Sequence, residues 1–173
     1  MPILATFVVP HPPMILPEIG KGEEDKINLT NDSYIKVAKE IASLEPDTIL
    51  ITSPHAPFFS DGFYLSDGKK IEGDFRKFGA PQVSFEEDVD YQFVEYLENL
   101  AQKENFPAQR VGDVSLDHGV MVPLYFIRQF YKKGKIAVIG CSSMSLVYHY
   151  QLGQYIQKNF FLQIKYTLLN ILP

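Results

Sequence analysis

At 173 residues, 46 % hydrophobic and 21 % charged, the chain is about one domain long and can build a packed core, which excludes a disordered, collagenous or coiled-coil protein. A formal charge of −5 without a Lys/Arg cluster leaves no footprint for a phosphate backbone, so nucleic acid is not an expected partner. The single Cys141 cannot form an internal disulfide, Met1-Pro2-Ile3-Leu4 does not begin a signal peptide, and no apolar run reaches the roughly 20 residues of a membrane span; a soluble, cytoplasmic protein is expected.

Ile3 to Val9 is almost wholly apolar and β-branched or aromatic, as in a strand buried on both faces, and it ends at Pro10. From about Lys26 to Leu44 the residues Ile27, Tyr34, Val37, Ala38, Ile41 and Ala42 recur at helical spacing, with Lys36, Lys39 and Glu40 on the other side, until Pro46 stops the helix. Thr48 to Ser53 is a second buried strand, which completes a strand–helix–strand crossover.

Between Phe58 and Phe85 lie four glycines, and the Asp67-Gly68 pair separates Phe63-Tyr64-Leu65 from Lys69-Lys70-Ile71. That pattern predicts a hairpin turning at Asp67-Gly68, within an insertion or active-site lid. Helical period returns from Asp90 to Glu104 and again from Val120 to Tyr131, where Pro123 is expected to be tolerated in the first turn. Lys135 to Gly140 predicts another buried strand, and a further helix starts at Leu146. The expected class is α/β: a mainly parallel sheet with helices on both faces, an α/β/α sandwich whose ligands sit beyond the carboxyl ends of the strands. Residues 159–173 break the pattern, with one charge, no glycine and mostly large apolar side chains. They read either as a buried terminal helix or strand, or as an atypical tail on a domain spanning residues 1–158.

Two of the four histidines share one local frame, Pro10-His11-Pro12-Pro13 and Pro54-His55-Ala56-Pro57, each directly after a predicted strand. For a chain with 12 prolines, Pro at both −1 and +2 of a given His has odds of roughly one in 200. The prolines fix φ and bias their neighbours to extended geometry, so both imidazoles stand on stiff stalks, half of a metal site for Fe(II) or Zn(II). A third ligand is then required. A carboxylate would indicate non-heme Fe(II) and oxygen chemistry, and a zinc-held water would indicate hydrolysis. The plainer reading is a pair of turn histidines bonded to backbone.

His118 lies in Ser115-Leu116-Asp117-His118-Gly119-Val120, just ahead of a helix. Ser115 or Asp117 can cap that helix and Gly119 can supply a tight turn, or His118 can act as a general acid or base with a lowered pKa. His149 reads as structural and Cys141 as a small core residue. Gly20-Lys21-Gly22 is not a phosphate loop, and Ser142, Ser143 and Ser145 lack a nucleophile-elbow frame.

Taken in order, Pro10-His11-Pro12-Pro13, Ser53-Pro54-His55-Ala56-Pro57 and Leu116-Asp117-His118-Gly119 through Val122-Pro123-Leu124 resemble the class III extradiol ring-cleavage dioxygenase superfamily. The resemblance is to its branch of AmmeMemoRadiSam and Memo-like proteins, and it runs from about Ile3 to Gln157. It implies a non-heme Fe(II) site, with Zn(II) the alternative, to which His11 and His55 give two ligands. His118 matches an acid/base histidine beside the substrate ring. The implied reaction is cleavage of a catechol-type aromatic diol with O2; the alternative is a catalytically inactive metal-binding or scaffold module acting with partner domains. The family domain is longer, and its carboxylate ligand and Ser-Gly-Asp-x-x-His-type motif have no match after Gly140, so the fold is expected to be incomplete relative to the family. Glu18, Asp61 and Asp117 are the local carboxylates that could substitute. An unfinished sheet leaves an edge, which makes a homo-oligomer or a partner domain an expectation.

Overall fold

The computed structural model describes residues 3–158 and 165–171. Its strands are β1 (Ile3–Val9), β2 (Thr48–Ser53), β3 (Phe63–Ser66), β4 (Lys70–Phe75), β5 (Ala80–Asp88), β6 (Ala108–Val111), β7 (Lys135–Gly140) and β8 (Tyr166–Ile171). Its helices are α1 (Pro17–Gly20), α2 (Asn28–Leu44), α3 (Tyr91–Lys103), α4 (His118–Phe130) and α5 (Leu146–Lys158), with 3-10 turns at Pro13–Ile15, Glu23–Ile27 and Arg76–Phe78.

Six strands form one sheet in the order β1-β8-β2-β7-β3-β6. β1, β8, β2 and β7 run parallel, whereas β3 is antiparallel to β7 and parallel to β6. The sheet is therefore mixed, mostly parallel, and of the α/β class. Helix α2 packs on α4 and against β1, and α4 against β2; α3 packs on α5 and against β3, β6 and β7. The connections β1-α2-β2 and β7-α5-β8 run in opposite directions along the sheet, and the right-handed crossover that parallel strands favour puts the two helix groups on opposite faces.

The apolar runs of the central strands become the core: Ile49, Leu50 and Ile51 of β2 and Ile136 to Ile139 of β7 are all buried. Helix α2 buries Tyr34, Ala38 and Ile41, one stripe at helical spacing. Helix α3 buries Phe93, Val94, Leu97 and Ala101, and Asp90 caps it by accepting from the Phe93 amide. Helix α4 is buried almost all round, because α2 covers one side and the β4–β5 hairpin another.

Several expectations are corrected. The predicted hairpin is displaced: β3 belongs to the main sheet, and β4 pairs instead with β5 in a separate two-stranded sheet. Asp67-Gly68, with Gly68 at φ 87°, turns the chain out of the main sheet, and the hairpin's own turn is Arg76–Phe78 with Gly79 at φ 79°. The α2 region begins as a 3-10 turn, so its α-helix starts at Asn28 instead of Lys26. Helix α4 starts at His118, which puts Pro123 in its second turn, where the chain forgoes an amide bond to the Gly119 carbonyl. The short strand β6 had no strong periodic signal.

Residues 159–164 and 172–173 lie outside the described residues. Of the apolar C-terminal stretch, Tyr166–Ile171 takes the buried-strand form as β8, inserted between β1 and β2. Among the described residues no helix is long and apolar enough to cross a membrane.

Candidate metal and substrate site

The strand register decides how His11 and His55 meet. Val9 of β1 pairs with Ile171 of β8, and Thr52 of β2 pairs with Asn170, so Val9 and Ser53 stand level on either side of β8. His11 and His55 each lie two residues beyond those positions. Two strand spacings separate β1 from β2, roughly 10 Å, and the two imidazoles bridge that gap over the end of β8. Their Nε2 atoms are 2.8 Å apart. The stalks therefore rise from strands that flank a common neighbour, at the carboxyl ends of the parallel strands.

His118 joins them from the first turn of α4. Its ring centroid lies 4.0 Å from that of His55 and 5.3 Å from that of His11. One nitrogen from each of the three rings lies within 4.8 Å of the other two. His149 is elsewhere: its Nδ1 is 3.2 Å from the Ser145 carbonyl, and its ring meets Phe63 edge-on. Of the proposed substitute carboxylates, Glu18 accepts from the Tyr125 hydroxyl at 3.2 Å and Asp117 caps α4. Neither these nor Asp61 joins the three-histidine group among the described residues.

Each stalk is tied down by a neighbouring element. The buried Tyr34 hydroxyl of α2 donates to the Pro10 carbonyl, immediately before His11. The fully buried Ser53 hydroxyl accepts from the His55 amide at 3.2 Å and donates to Asp117 Oδ1 at 2.7 Å. That same Asp117 oxygen accepts from the amides of Gly119 at 2.7 Å and Val120 at 3.2 Å. Asp117 is thus the helix cap foreseen for it, and it also couples β2 to α4. Gly119 serves close approach, because a Cβ there would stand 2.6 Å from Ser53 Oγ and 3.4 Å from His55 Cδ2. The motif Ser53-Pro54-His55 was visible in sequence, but no spacing links Ser53 to a residue 64 positions away.

The electrostatics favour neutral imidazole at His118. Burial holds its pKa below the ordinary histidine value; His55 and His11 lower it further, and Asp117 opposes them. Near the same carboxylate, burial pushes the Tyr64 phenol up to about 12 and raises the Cys141 thiol, so neither supplies a ready anion. Cys141 is half-buried, more open than a core residue.

Neutral imidazole is a good ligand for first-row divalent metals. Two donors bound to one ion at about 2.1 Å each lie no more than about 4.2 Å apart. The His11–His55 pair meets that limit as it stands, and the His118 nitrogen lies within 4.8 Å of both. The donor set fits a metal ion.

A cleft of about 840 Å³ opens beside His55 and His118. One wall is Ser115 to His118 with Met121, and the other is the β4–β5 hairpin, including Glu72, Phe78 and Phe85. The hairpin is fastened at its base, where the Leu116 amide donates to the Glu72 carbonyl at 2.8 Å. Gly73 fits because a Cβ would meet Leu116 Cβ at 2.7 Å and Met121 Sδ at 2.8 Å. The insertion foreseen as a lid does border the site, but Phe78 and Met121 carried no sequence signal for it. A second cleft, at the amino ends of β2 and β7, includes Asp47, Asp90, Lys133 and Lys165 and lies away from the histidines.

An α/β sheet with His11 and His55 beyond its carboxyl edge and His118 beside them from α4 defines a candidate metal-holding site. Residues 5–163 match the model of the catalytic LigB subunit of aromatic ring-opening dioxygenase, and the chain belongs to that family. It is 38 % identical over 161 residues to a protein of Clostridium acetobutylicum, a match covering 88 % of this chain and 34 % of that protein. The chain thus spans about a third of the length of this curated relative. The crystal structure of an uncharacterized protein from Escherichia coli K12 is similar in fold, with a TM-score of 0.55 and 14 % identity over 79 % of this chain and 51 % of that one.

Proposed function

We propose that this chain carries the metal-holding part of a non-heme Fe(II)-dependent extradiol dioxygenase that opens the ring of a catechol-type diol with O2. The observation that carries the reading is the 2.8 Å approach of His11 Nε2 and His55 Nε2, with His118 beside them, in a chain of the LigB family. His11 and His55 hold the ion. The chemistry a ferrous ion would supply there, when bound, is electron transfer between the diol and dioxygen.

The chain's own groups handle position and protons. His118 is held neutral, so its cluster-facing nitrogen takes a proton from an incoming diol hydroxyl and later returns it to the product. Ser53 and Asp117 keep His55 and His118 in mutual register during that exchange. Leu116 and Met121 give that side of the cleft an apolar backing.

The donor set favours a second reading. Three imidazoles also suit Zn(II) with an open fourth position, and a zinc-held site would serve a hydrolase or a Memo-like module without oxygen chemistry. Anaerobic Fe(II) titration of the whole chain separates the cases. Binding is expected in the wild type and lost in the His11→Ala/His55→Ala double variant; unchanged binding in that variant would overturn the metal assignment. A yellow ring-fission product from simple catechols under oxygen supports the dioxygenase. Zinc on metal analysis, with oxygen-independent activity, supports the rival.

A further inference from the structure

We propose that Phe78, at the tip of the β4–β5 hairpin, is the face against which a planar aromatic ligand lies, so that the hairpin turn selects ligands for the histidine site. This role rests on the reading of the adjoining cleft as the place where an aromatic diol binds.

Exposed apolar side chains are common, so the 39 % exposure of Phe78 is not by itself informative. Its placement is. The Phe78 ring lies 5.1 Å from the His118 ring at an interplanar angle of 63°. Both border a cleft whose volume, about 840 Å³, falls within the range of small-molecule sites and accommodates one substituted ring. Aromatic side chains favour offset-stacked or edge-to-face partners, and Phe78 already meets His118 in an edge-type geometry.

The turn is built to hold that ring still. Phe75, fully buried, lies 6.0 Å from Phe78 and 6.5 Å from Phe85, which anchors the tip from below. Asp74 accepts from the Arg76 amide at 2.9 Å and from its side chain, and Gly79 closes the turn in the left-handed region. At the base, Glu87 and Arg128 form a nearly buried ion pair. A ligand ring would then lie against this aromatic wall with one end toward the histidines, in a cleft also bordered by Glu72, Ser84 and Ser115.

The experiment uses the whole chain without metal and 4-nitrophenol, a planar ring that does not chelate, followed by optical titration. Phe78→Ala is expected to weaken binding about tenfold, Phe78→Tyr to stay within about twofold of the wild type, and Phe78→Leu to bind like Phe78→Ala despite restoring apolar cover. Fe(II) affinity is expected to be the same in all four proteins. Equal 4-nitrophenol binding by wild type, Phe78→Ala and Phe78→Leu would overturn the inference, as would absence of binding by the wild type. If 4-nitrophenol binding depends on Phe78 but the iron-loaded protein cleaves no catechol, the aromatic face stands and the dioxygenase reading falls.

Discussion

The Ser53 hydroxyl donates to Asp117 Oδ1 at 2.7 Å, and this bond joins the end of β2 to the first turn of α4 across 64 positions of sequence. Through it, the residue that accepts from the His55 amide and the residue that precedes His118 are held together. A hydrogen bond to a charged group contributes about 1.5–3 kcal/mol. Ser53→Ala is therefore expected to lower unfolding free energy by about 2 kcal/mol in urea denaturation. It should also weaken Fe(II) binding, whereas an effect on stability alone would restrict Ser53 to a structural role.

Gly119 and Gly153 are both helical, and they should respond oppositely to alanine. At Gly119 the new Cβ would stand 2.6 Å from Ser53 Oγ and 2.8 Å from Asp117 Oδ1. Overpacking of that kind costs about 1–3 kcal/mol. At Gly153 nothing among the described residues lies within 4 Å, so alanine should stabilise α5 by about 0.5–1 kcal/mol. Thermal denaturation of the two variants checks the sign of each.

Arg128 holds the hairpin to the body of the domain. Its Nε donates to both Glu87 oxygens at 3.0 and 3.1 Å, and its terminal nitrogens donate to the carbonyls of Tyr131, Lys133 and Gly134. The two side chains are 16 % and 8 % exposed, so removing the cation leaves a carboxylate buried without its charge partner. Arg128→Met should cost about 3–5 kcal/mol in chemical denaturation, and Arg128→Met/Glu87→Leu should recover part of that loss.

The depressed His118 pKa gives stability a definite pH slope. Its folded value lies below the unfolded value, about 6.5, so the unfolded chain binds the proton first as pH falls. The contribution is complete above about pH 6.5 and is lost as pH drops from there through the folded pKa. Urea denaturation between about pH 7.5 and 5 should show a loss of stability that is smaller in His118→Gln; equal slopes would show that His118 does not carry the effect. Metal release follows the same direction, because protons compete for the same nitrogens.

Composition and periodicity alone determined the α/β class, the bounds of β1, β2 and β7, and the histidine pair in matched proline frames. These features are local: a buried strand must be apolar, a helix must repeat its apolar stripe, and proline acts on its immediate neighbours. Tertiary structure decided the rest. The Asp67-Gly68 turn looked like a hairpin, but pairing partners are chosen by packing, and β4 found β5 while β3 joined β7 and β6. Insertion of β8 between β1 and β2 set the gap that His11 and His55 span, and register along β8 brought them level. Side-chain convergence depends on relations between distant strands, which no local pattern encodes; the residue types able to hold a metal were therefore legible, while Ser53, Gly119 and Phe78 acquired their roles only from what folding placed against them.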